Sequence, residues 1–238
     1  KYVSGIIFYD ETVYQETSDG IPFPQYLLSQ RIKPGIKVDT GAININKNSS
    51  EKVTEGLDGL PSRLEKYKND GMVFTKWRAI IEIDSSKNFP TKDSINLNAY
   101  NLGRYARIVQ DNEMVPIVEP EVLMDGEHTI EECYEFTSNT LKTVFEQLNN
   151  HDVFLGGILL KPNMIISAKN SKVQANIPKV AEMTLKCLKE NVPEDVPGIV
   201  FLSGGQSSEL ATAHLNEMNK KKDMYKWNLS FSYGRALQ

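Results

Sequence analysis

Cysteine and histidine are both scarce in this sequence. Its 238 residues include two cysteines, Cys133 and Cys187, and three histidines, His128, His151 and His214. Two cysteines in helix-like stretches are too few for a disulfide framework or a cysteine-based zinc site, and they are typical of small core residues in a reducing compartment. The histidines are far apart in the chain, and none ends an apolar run. We therefore predict no metal site and no cofactor.

Long apolar runs and an excess of positive charge are also missing. No apolar run approaches the ~20 residues that span a bilayer, and no signal peptide opens the chain. The formal net charge is −4, so no overall field attracts nucleic acid or an acidic membrane. The basic stretch Asn219–Lys226 lacks interleaved aromatic residues beyond Tyr225 and Trp227, and we interpret it as a solvated loop. We expect neither nucleic-acid binding nor membrane insertion.

What the sequence does contain is a series of short, β-rich apolar runs. Several are almost continuously apolar, which is typical of parallel strands that are covered on both faces. The hydrophobic fraction of 40% over this length is enough for one large core. The seven predicted strands are Val3–Tyr9, Gly35–Val38, Met72–Ile83, Met114–Leu123, Val153–Lys161, Gly198–Gly205 and Asn228–Gly234.

Between these runs, apolar residues recur with the spacing of amphipathic helices. The alternation of strand and helix predicts a parallel sheet of the α/β class. Seven strands are one fewer than a closed (β/α)8 barrel needs, so we expect a first strand upstream of Lys1. An open doubly wound sheet is the alternative, although no G-x-G-x-x-G motif supports a dinucleotide site. The predicted helices lie within 57–67, 95–109, 130–148, 180–188 and 210–218.

Polar residues follow or interrupt the apolar runs at their carboxyl ends, where the active site of a (β/α)8 barrel lies. A single buried lysine there is commonly a structural ion pair, but here strand after strand carries a polar group. Cations outnumber carboxylates, which predicts an anionic ligand, and the lysines argue against magnesium at Glu119 and Glu121. The candidate residues are Lys37, Lys76, Arg78, Glu119, Glu121, Lys161, Ser203, Gly204, Gly205, Gly234 and Arg235.

Two of these strand ends carry glycine. The segment Ser203–Leu210 is a glycine-rich turn that enters a helix, and its backbone N–H groups would suit a phosphate. Gly234 and Arg235 follow the last predicted strand and add backbone and guanidinium donors. In (β/α)8 barrels, phosphate often binds after the seventh and eighth strands. The two patterns together predict one phosphate site.

Lys161 ends the apolar run Ile158–Leu160 and is followed directly by Pro162. A lysine in an apolar setting near another cation loses its proton more readily and becomes a nucleophile. Its attack on a ketone gives a Schiff base, and the iminium acts as an electron sink, so that an adjacent C–C bond breaks. A carboxylate such as Glu119 would carry protons during the loss of water. We therefore predict that Lys161 reacts covalently with substrate.

The candidate residues lie in motifs that keep one order along essentially the whole chain. The motifs are PGIKVD (Pro34–Asp39), EGLDGL (Glu55–Leu60), KWR (Lys76–Arg78), VPIVEPE (Val115–Glu121), LLKPNM (Leu159–Met164), FLSGGQS (Phe201–Ser207) and FSYGRALQ (Phe231–Gln238). This series resembles the class I fructose-1,6-bisphosphate aldolases, the metal-independent Schiff-base enzymes of glycolysis.

The resemblance implies a role for each candidate. Lys161 corresponds to the Schiff-base lysine and Glu119 to the general acid/base, with Glu121 close by, while Lys76 corresponds to a lysine that assists proton transfer. Arg78 corresponds to an arginine that helps to hold the phosphate end of the sugar. The remaining correspondences are Lys37 with the second phosphate, and Ser203, Gly204, Gly205, Gly234 and Arg235 with the phosphate on the ketone side.

The resemblance also implies a single barrel domain over 1–238 that holds strands two to eight, in a cytoplasmic homotetramer. The implied reaction is reversible cleavage of fructose 1,6-bisphosphate to dihydroxyacetone phosphate and glyceraldehyde 3-phosphate. Two family features are absent, the first-strand Ala-Ala-Asp-Glu-Ser motif and the C-terminal tail. The aspartate of that motif takes part in C–C cleavage. We therefore expect residues 1–238 alone to be poorly soluble or nearly inactive, and the longer gene product to be active.

Two other functions remain open at this point. The first is a non-catalytic binding role, in which the basic cleft holds cytoskeletal proteins or the tails of membrane proteins; binding without turnover would distinguish it. The second is another Schiff-base barrel lyase, such as a transaldolase. The two phosphate-site patterns and the LLKPNM motif argue against that second alternative.

Overall fold

The computed structural model describes residues 2–234, in which strands and helices alternate. The strands of the main sheet are β1 (Gly5–Phe8), β2 (Lys33–Lys37), β5 (Phe74–Ile81), β6 (Val115–Val122), β7 (Leu159–Leu160), β8 (Gly198–Phe201) and β9 (Asn228–Phe231). Two further strands, β3 (Gly41–Asn44) and β4 (Lys52–Glu55), form a separate hairpin. The helices are α1 (Asp10–Val13), α2 (Phe23–Ser29), α3 (Leu60–Asn69), α4 (Lys92–Asp111), α5 (Ile130–Asn150), α6 (Ile177–Asn191) and α7 (Ser208–Asn219).

The seven strands of the main sheet are all parallel, in the order β1-β2-β5-β6-β7-β8-β9. This confirms the seven predicted strands, each within its predicted range or shifted from it by a residue or two. β7 is much shorter than the predicted Val153–Lys161, because Leu155–Gly157 forms a single 3₁₀ turn against the ring of Phe154. Parallel pairing places the carboxyl ends of all seven strands on one side of the sheet.

The five predicted helices are confirmed, and four of them, α4, α5, α6 and α7, begin at a residue whose side chain caps the helix. Thr91 accepts a hydrogen bond from the N–H of Ser94 at the start of α4, and Thr129 forms a capping box with Glu132 at the start of α5. Each helix turns its apolar stripe inward, and a continuous core extends from Phe8 in β1 to Leu229 in β9. The sheet is thereby covered by helices, as its continuously apolar strands predicted.

The β3–β4 hairpin was not predicted, although the polar stretch between its strands is the loop that its composition indicates. The two strands pair antiparallel from Gly41 with Glu55 to Asn44 with Lys52, and 45–51 form the connecting turn. Inside that turn Glu51 is buried and accepts hydrogen bonds from the N–H and hydroxyl of Thr91, at 2.8 and 2.7 Å. Four-residue strands of mixed polarity carry too little periodicity to be recognised from sequence.

No helix in residues 2–234 has both the length and the apolar composition needed to cross a membrane.

Candidate active site

Four neighbouring strands bring six predicted residues together: Lys37 ends β2 and Lys161 follows β7 as predicted, whereas the other four lie within β5 and β6 and not at their ends. Strand register places Lys37 of β2 beside Lys76 of β5, and Arg78 of β5 beside Glu119 of β6. Leu160 of β7 pairs with Val118 of β6, so the residue after β7, Lys161, follows at the same level as Glu119. Glu121, two residues further along β6, completes the group. Parallel strands in this register turn residues distant in sequence into direct neighbours.

Glu119 lies between two lysines. Its Oε1 is 3.0 Å from Lys161 Nζ and its Oε2 is 3.0 Å from Lys76 Nζ, and all three side chains are at least nine-tenths buried. The pair with Lys76 is an ion pair without hydrogen-bond geometry, because Oε2 has no hydrogen-bonding partner. A buried carboxylate shared by two ammonium groups can take a proton from one or return it to the other with little movement.

Asp39 is the residue of this group that the sequence analysis missed. It stands two residues beyond Lys37, whose Nζ lies 2.6 Å from Asp39 Oδ1 and donates a hydrogen bond to the Asp39 carbonyl oxygen at 2.8 Å. The other oxygen, Oδ2, accepts the backbone N–H of Arg78 at 3.2 Å and lies 4.0 Å from Lys76 Nζ. The available signal was its place in the PGIKVD motif, directly after a strand with a terminal lysine.

Arg78 and Glu121 form a second pair beside the first. The Nε of Arg78 donates to Glu121 Oε2, and Glu121 is buried while Arg78 is about one-third exposed at its side chain. Burial alone would lower the pKa of Arg78, but the hydrogen bond to Glu121 and its negative charge raise it above the ordinary value. Arg78 therefore stays positive, with a partly open face for an anion.

The Ser203–Gln206 turn after β8, called the glycine turn here, has a different construction. Gly204 and Gly205 have φ values of +57° and +82°, which side-chain-bearing residues rarely adopt. Gln206 folds back, so that its N–H and its side-chain amide donate to the Ser203 carbonyl oxygen at 3.0 and 2.9 Å. Ser207 then caps α7 by accepting the N–H of Leu210 at 3.2 Å. The turn thus presents backbone to the outside.

Two further residues support the glycine turn. His214 is buried in α7, and its Nδ1 lies 2.7 Å from Gln206 Oε1, where the N–H tautomer donates. Burial lowers the pKa of His214, which keeps the ring neutral. Lys169 reaches the same turn from the loop after β7: its Nζ is 3.5 Å from the position that a Cβ on Gly205 would occupy. Sequence reasoning gave neither residue a role.

The last predicted candidates are only partly described. Gly234, after β9, is exposed, and apart from its chain neighbours no residue of 2–234 comes within 4 Å of a Cβ placed on it. Arg235 lies outside the described residues. The prediction that Arg235 joins Ser203 and Gly204 at one phosphate therefore stays a prediction.

The charges around Glu119 favour an anionic ligand and covalent lysine chemistry. Four cations, Lys37, Lys76, Arg78 and Lys161, face the three carboxylates of this cluster. One positive charge is left over, within reach of solvent at Lys37 and Arg78. Within 2–234, no three histidine, cysteine, aspartate or glutamate side chains come together as a metal site would require. Together, the parallel α/β sheet and the buried lysine–glutamate pair indicate a barrel lyase of the Schiff-base class.

The comparisons with known proteins identify the family within this class. The family model of the glycolytic class-I fructose-bisphosphate aldolases matches residues 1–238. A probable fructose-bisphosphate aldolase class 1 of Xanthomonas campestris is 52% identical over 237 residues, which is 100% of this chain and 70% of the relative. The aldolase of Dictyostelium discoideum is 48% identical over 238 residues, 100% of this chain and 66% of its own. The chain belongs to the class-I fructose-bisphosphate aldolases, and it is a lyase of glycolysis.

A solved structure agrees with this assignment. Fructose-bisphosphate aldolase from Plasmodium falciparum, in complex with TRAP and a small-molecule inhibitor, superposes with a TM-score of 0.96 at 46% identity. The match covers 99% of this chain and 67% of the Plasmodium chain. It confirms the predicted (β/α)8 barrel class, of which residues 2–234 contribute seven parallel strands. The predicted open doubly wound alternative is thereby set aside.

Proposed function

We propose that Lys161 forms a Schiff base with the ketone carbon of fructose 1,6-bisphosphate and that Glu119 carries the protons. The observation behind this is the 3.0 Å pair between Lys161 Nζ and Glu119 Oε1 in a buried site. The amine attacks the ketone, Glu119 protonates the hydroxyl of the carbinolamine, and water leaves. Glu119, now a carboxylate, takes the proton of the C4 hydroxyl, the C3–C4 bond breaks, and its electron pair moves onto the iminium, which gives the aldehyde product and an enamine on Lys161. Glu119 then returns the proton to the enamine carbon, and water hydrolyses the resulting iminium to release the ketone product and free Lys161.

Lys76 is proposed to keep Glu119 ready for both steps. Its ammonium is 3.0 Å from Glu119 Oε2, so the carboxylate stays electrostatically balanced when Lys161 gives up its own charge to become a nucleophile. Without Lys76, Glu119 would be a buried carboxylate with a neutral amine as its nearest partner, which raises the energy of its ionised form. Glu121 has a more distant role, because it holds Arg78.

The two phosphates are proposed to bind at opposite ends of this cluster. Ser203, Gly204 and Gly205 hold the ketone-side phosphate through backbone N–H groups, with Gly234 and Arg235 adding donors. This is supported by the left-handed glycines, where backbone can approach a ligand closely, and by the helix that starts at Ser208. Lys37 and Arg78 hold the other phosphate, and both keep partly exposed side chains beside the cluster.

Trapping with borohydride tests the Schiff base. Dihydroxyacetone phosphate and sodium borohydride should give one reduced adduct on the full-length protein, and peptide mass spectrometry should place it on Lys161. Lys161→Met should abolish both the adduct and cleavage, while Lys172→Met, which changes an exposed lysine on the loop after β7, should leave both unchanged. An adduct on Lys76 or Lys37 would show that the wrong lysine had been assigned. Chelators should leave the activity intact.

The surroundings of the reaction are proposals as well. We propose a sugar bisphosphate substrate, a single barrel domain over 1–238 and a cytoplasmic homotetramer. An Arabidopsis relative that is 48% identical over 99% of this chain is a cytosolic fructose-bisphosphate aldolase, which supports the location. Sedimentation of the full-length protein and cell fractionation test the oligomer and the compartment.

A binding role through the same basic cleft is the second proposal, supported by the Plasmodium relative, an aldolase in complex with TRAP. Cytoskeletal proteins and membrane-protein tails are the proposed partners. A partner held by the cations of the cleft should compete with fructose 1,6-bisphosphate, and Arg78→Ala should weaken both. Partner binding that is indifferent to saturating substrate would place that role elsewhere on the surface.

A further inference from the structure

Asp39 is buried between the phosphate-facing and the proton-carrying ends of the cluster. Its side chain is 4% exposed, and it lies just beyond β2 on the path from Lys37 to Lys76. A carboxylate is strongly disfavoured in such a place unless cations and hydrogen-bond donors compensate for its lost solvation. Its partners therefore show what the charge does there.

The partners of Asp39 fall into two kinds. The N–H of Arg78 donates to Oδ2 at 3.2 Å, which joins the end of β2 to β5 and is a structural contact. The two lysines are mobile charged groups, with Lys37 Nζ at 2.6 Å from Oδ1 and Lys76 Nζ at 4.0 Å from Oδ2. An uncharged amide could serve the N–H, but only a carboxylate balances the lysines. The negative charge of Asp39 is thus used by the lysines.

The result is an alternating row of charges in the order Lys37, Asp39, Lys76, Glu119 and Lys161. Lys76 shares two carboxylates, Asp39 on one side and Glu119 on the other. If Asp39 were neutral, Glu119 would be the remaining carboxylate within 4.0 Å of Lys76 in the described residues. Lys76 would then bind Glu119 more tightly and compete with Lys161 for it.

We infer that Asp39 is a positioning residue of the aldolase reaction: its charge holds Lys37 and Lys76 and so leaves Glu119 free to exchange protons with Lys161. The consequence for catalysis rests on the proposed function of Lys161 and Glu119, whereas the hold on the two lysines does not. Asp39 itself acts through its neighbours and need not touch substrate. Loss of its charge should therefore slow turnover more than it weakens substrate binding, because Lys37 becomes free to meet a phosphate.

Lysine labelling tests the hold on the two amines independently of activity. The full-length protein and its Asp39→Asn variant are treated with trace acetic anhydride, and labelling of each lysine is measured by peptide mass spectrometry. An adjacent carboxylate favours the protonated, unreactive ammonium. Asp39→Asn should raise labelling of Lys37, because its Nζ loses the carboxylate that lies 2.6 Å away. The rise at Lys76 should be smaller, because Glu119 remains. Lys161, which then competes with Lys76 for Glu119, should rise as well but less than Lys37, and the exposed Lys172 should be unchanged and serves as the internal control.

Two further variants keep the test decisive if Asp39→Asn folds poorly. Asp39→Glu restores the charge and should bring labelling of both lysines back toward the wild-type values. Lys37→Gln leaves Asp39 to Lys76 alone, so labelling of Lys76 should fall. Labelling of Lys37 and Lys76 that is the same in Asp39→Asn as in the wild-type protein would overturn the inference. So would an equal rise at Lys172, since that would mean a general change in labelling and not the release of the two amines held by Asp39.

Kinetics then test the consequence for the reaction. Asp39→Asn should lower kcat for fructose 1,6-bisphosphate about 10²-fold, the size expected from a misplaced catalytic group, with KM unchanged or lower and partial rescue by Asp39→Glu. If the role of Asp39 were merely structural, Asp39→Asn would lower the amount of folded enzyme but leave the kcat and KM of the folded fraction unchanged. If the wild-type protein traps no ketone at Lys161, the proposed function fails, and the labelling result still decides the role of Asp39.

Discussion

The two halves of the site hold their ligands by different means. The charged cluster on β2, β5, β6 and β7 consists of buried side chains that pair at 2.6–4.0 Å. The glycine turn after β8 is partly exposed and consists of backbone, with two left-handed glycines and few side-chain contacts. A developing charge on a reacting atom needs preorganised groups at fixed positions. A phosphate needs only several N–H groups and room to approach.

The difference also decides how each half tolerates change. In the cluster each buried carboxylate holds at least one cation, so removal of a carboxylate leaves a cation without that partner, which is strongly destabilising where the cation is buried. In the glycine turn the backbone conformation itself is the functional element. Replacing a glycine by alanine should therefore disturb the turn, because the added methyl group disfavours the left-handed conformation. Substitutions in the cluster should therefore change turnover, and substitutions in the glycine turn should change binding.

Glu119→Gln should have the largest effect. The amide preserves the shape of the side chain but cannot take or give a proton, so kcat should fall by about 10²–10⁴-fold, the usual contribution of a general acid/base. KM should change much less. Steady-state cleavage of fructose 1,6-bisphosphate measures both, with Glu127→Gln, an exposed glutamate after β6, as the control. Near-normal kcat in Glu119→Gln would move the proton-transfer role to another residue.

Gly205→Ala should act on binding instead. Its φ of +82° is strained for alanine, and the new Cβ would come within 3.2 Å of Met124 Sδ. The left-handed conformation costs about 1–2 kcal/mol for a residue with a side chain, so the turn should shift and KM should rise about tenfold, while kcat changes little. Gly59→Ala is the matched control, since Gly59 has a φ of +64°, open space around it and no place at the site.

Stability and kinetics should separate these two glycine variants. Both should lose about 1–2 kcal/mol of unfolding free energy from the strained backbone, as measured by urea unfolding. Only Gly205→Ala should also raise KM. A rise in KM with Gly59→Ala of the same size would mean that lost stability, and not the shape of the glycine turn, controls substrate binding.

The smallest effect should come from His214, which supports the glycine turn through Gln206. Burial lowers its folded-state pKa below the value in the unfolded chain, about 6.5. The unfolded state therefore binds more protons as pH falls, so the stability contributed by the neutral ring is complete above pH ~6.5 and is lost below it. The slope is at most about 1.4 kcal/mol per pH unit. Burial lowers the pKa of His128 as well, which adds to the same trend.

This is tested by measuring the free energy of unfolding between about pH 5 and pH 8, the range in which an ordinary histidine changes charge. His214→Asn keeps an N–H that can donate to Gln206 but does not titrate, so its stability should depend less on pH below ~6.5. His151→Asn, at the half-buried end of α5, is the comparison. If the stability of His214→Asn depends on pH as strongly as that of the wild-type protein, the charge of His214 does not control stability in this range.

Much of the fold was predictable because it rests on local periodicity. The seven parallel strands are largely apolar runs, and the five long helices repeat apolar residues every three or four positions. Each of these patterns can be recognised from a short stretch of sequence. The exceptions are elements whose residues carry weak patterns. The β3–β4 hairpin has strands of four residues, and β7 keeps only Leu159 and Leu160 of its predicted range because Leu155–Gly157 turns.

The sequence by itself determined which polar residues interrupt or close the apolar runs, because such a residue stands out from its apolar neighbours. Lys37, Lys76, Glu119 and Lys161 were found in this way. Only the tertiary structure decided which of them touch. Register between strands sets Glu119 between two lysines, and it makes Asp39 a partner of a lysine 37 positions away. Distances of 3–4 Å across a sheet depend on strand pairing and burial, which no local pattern encodes.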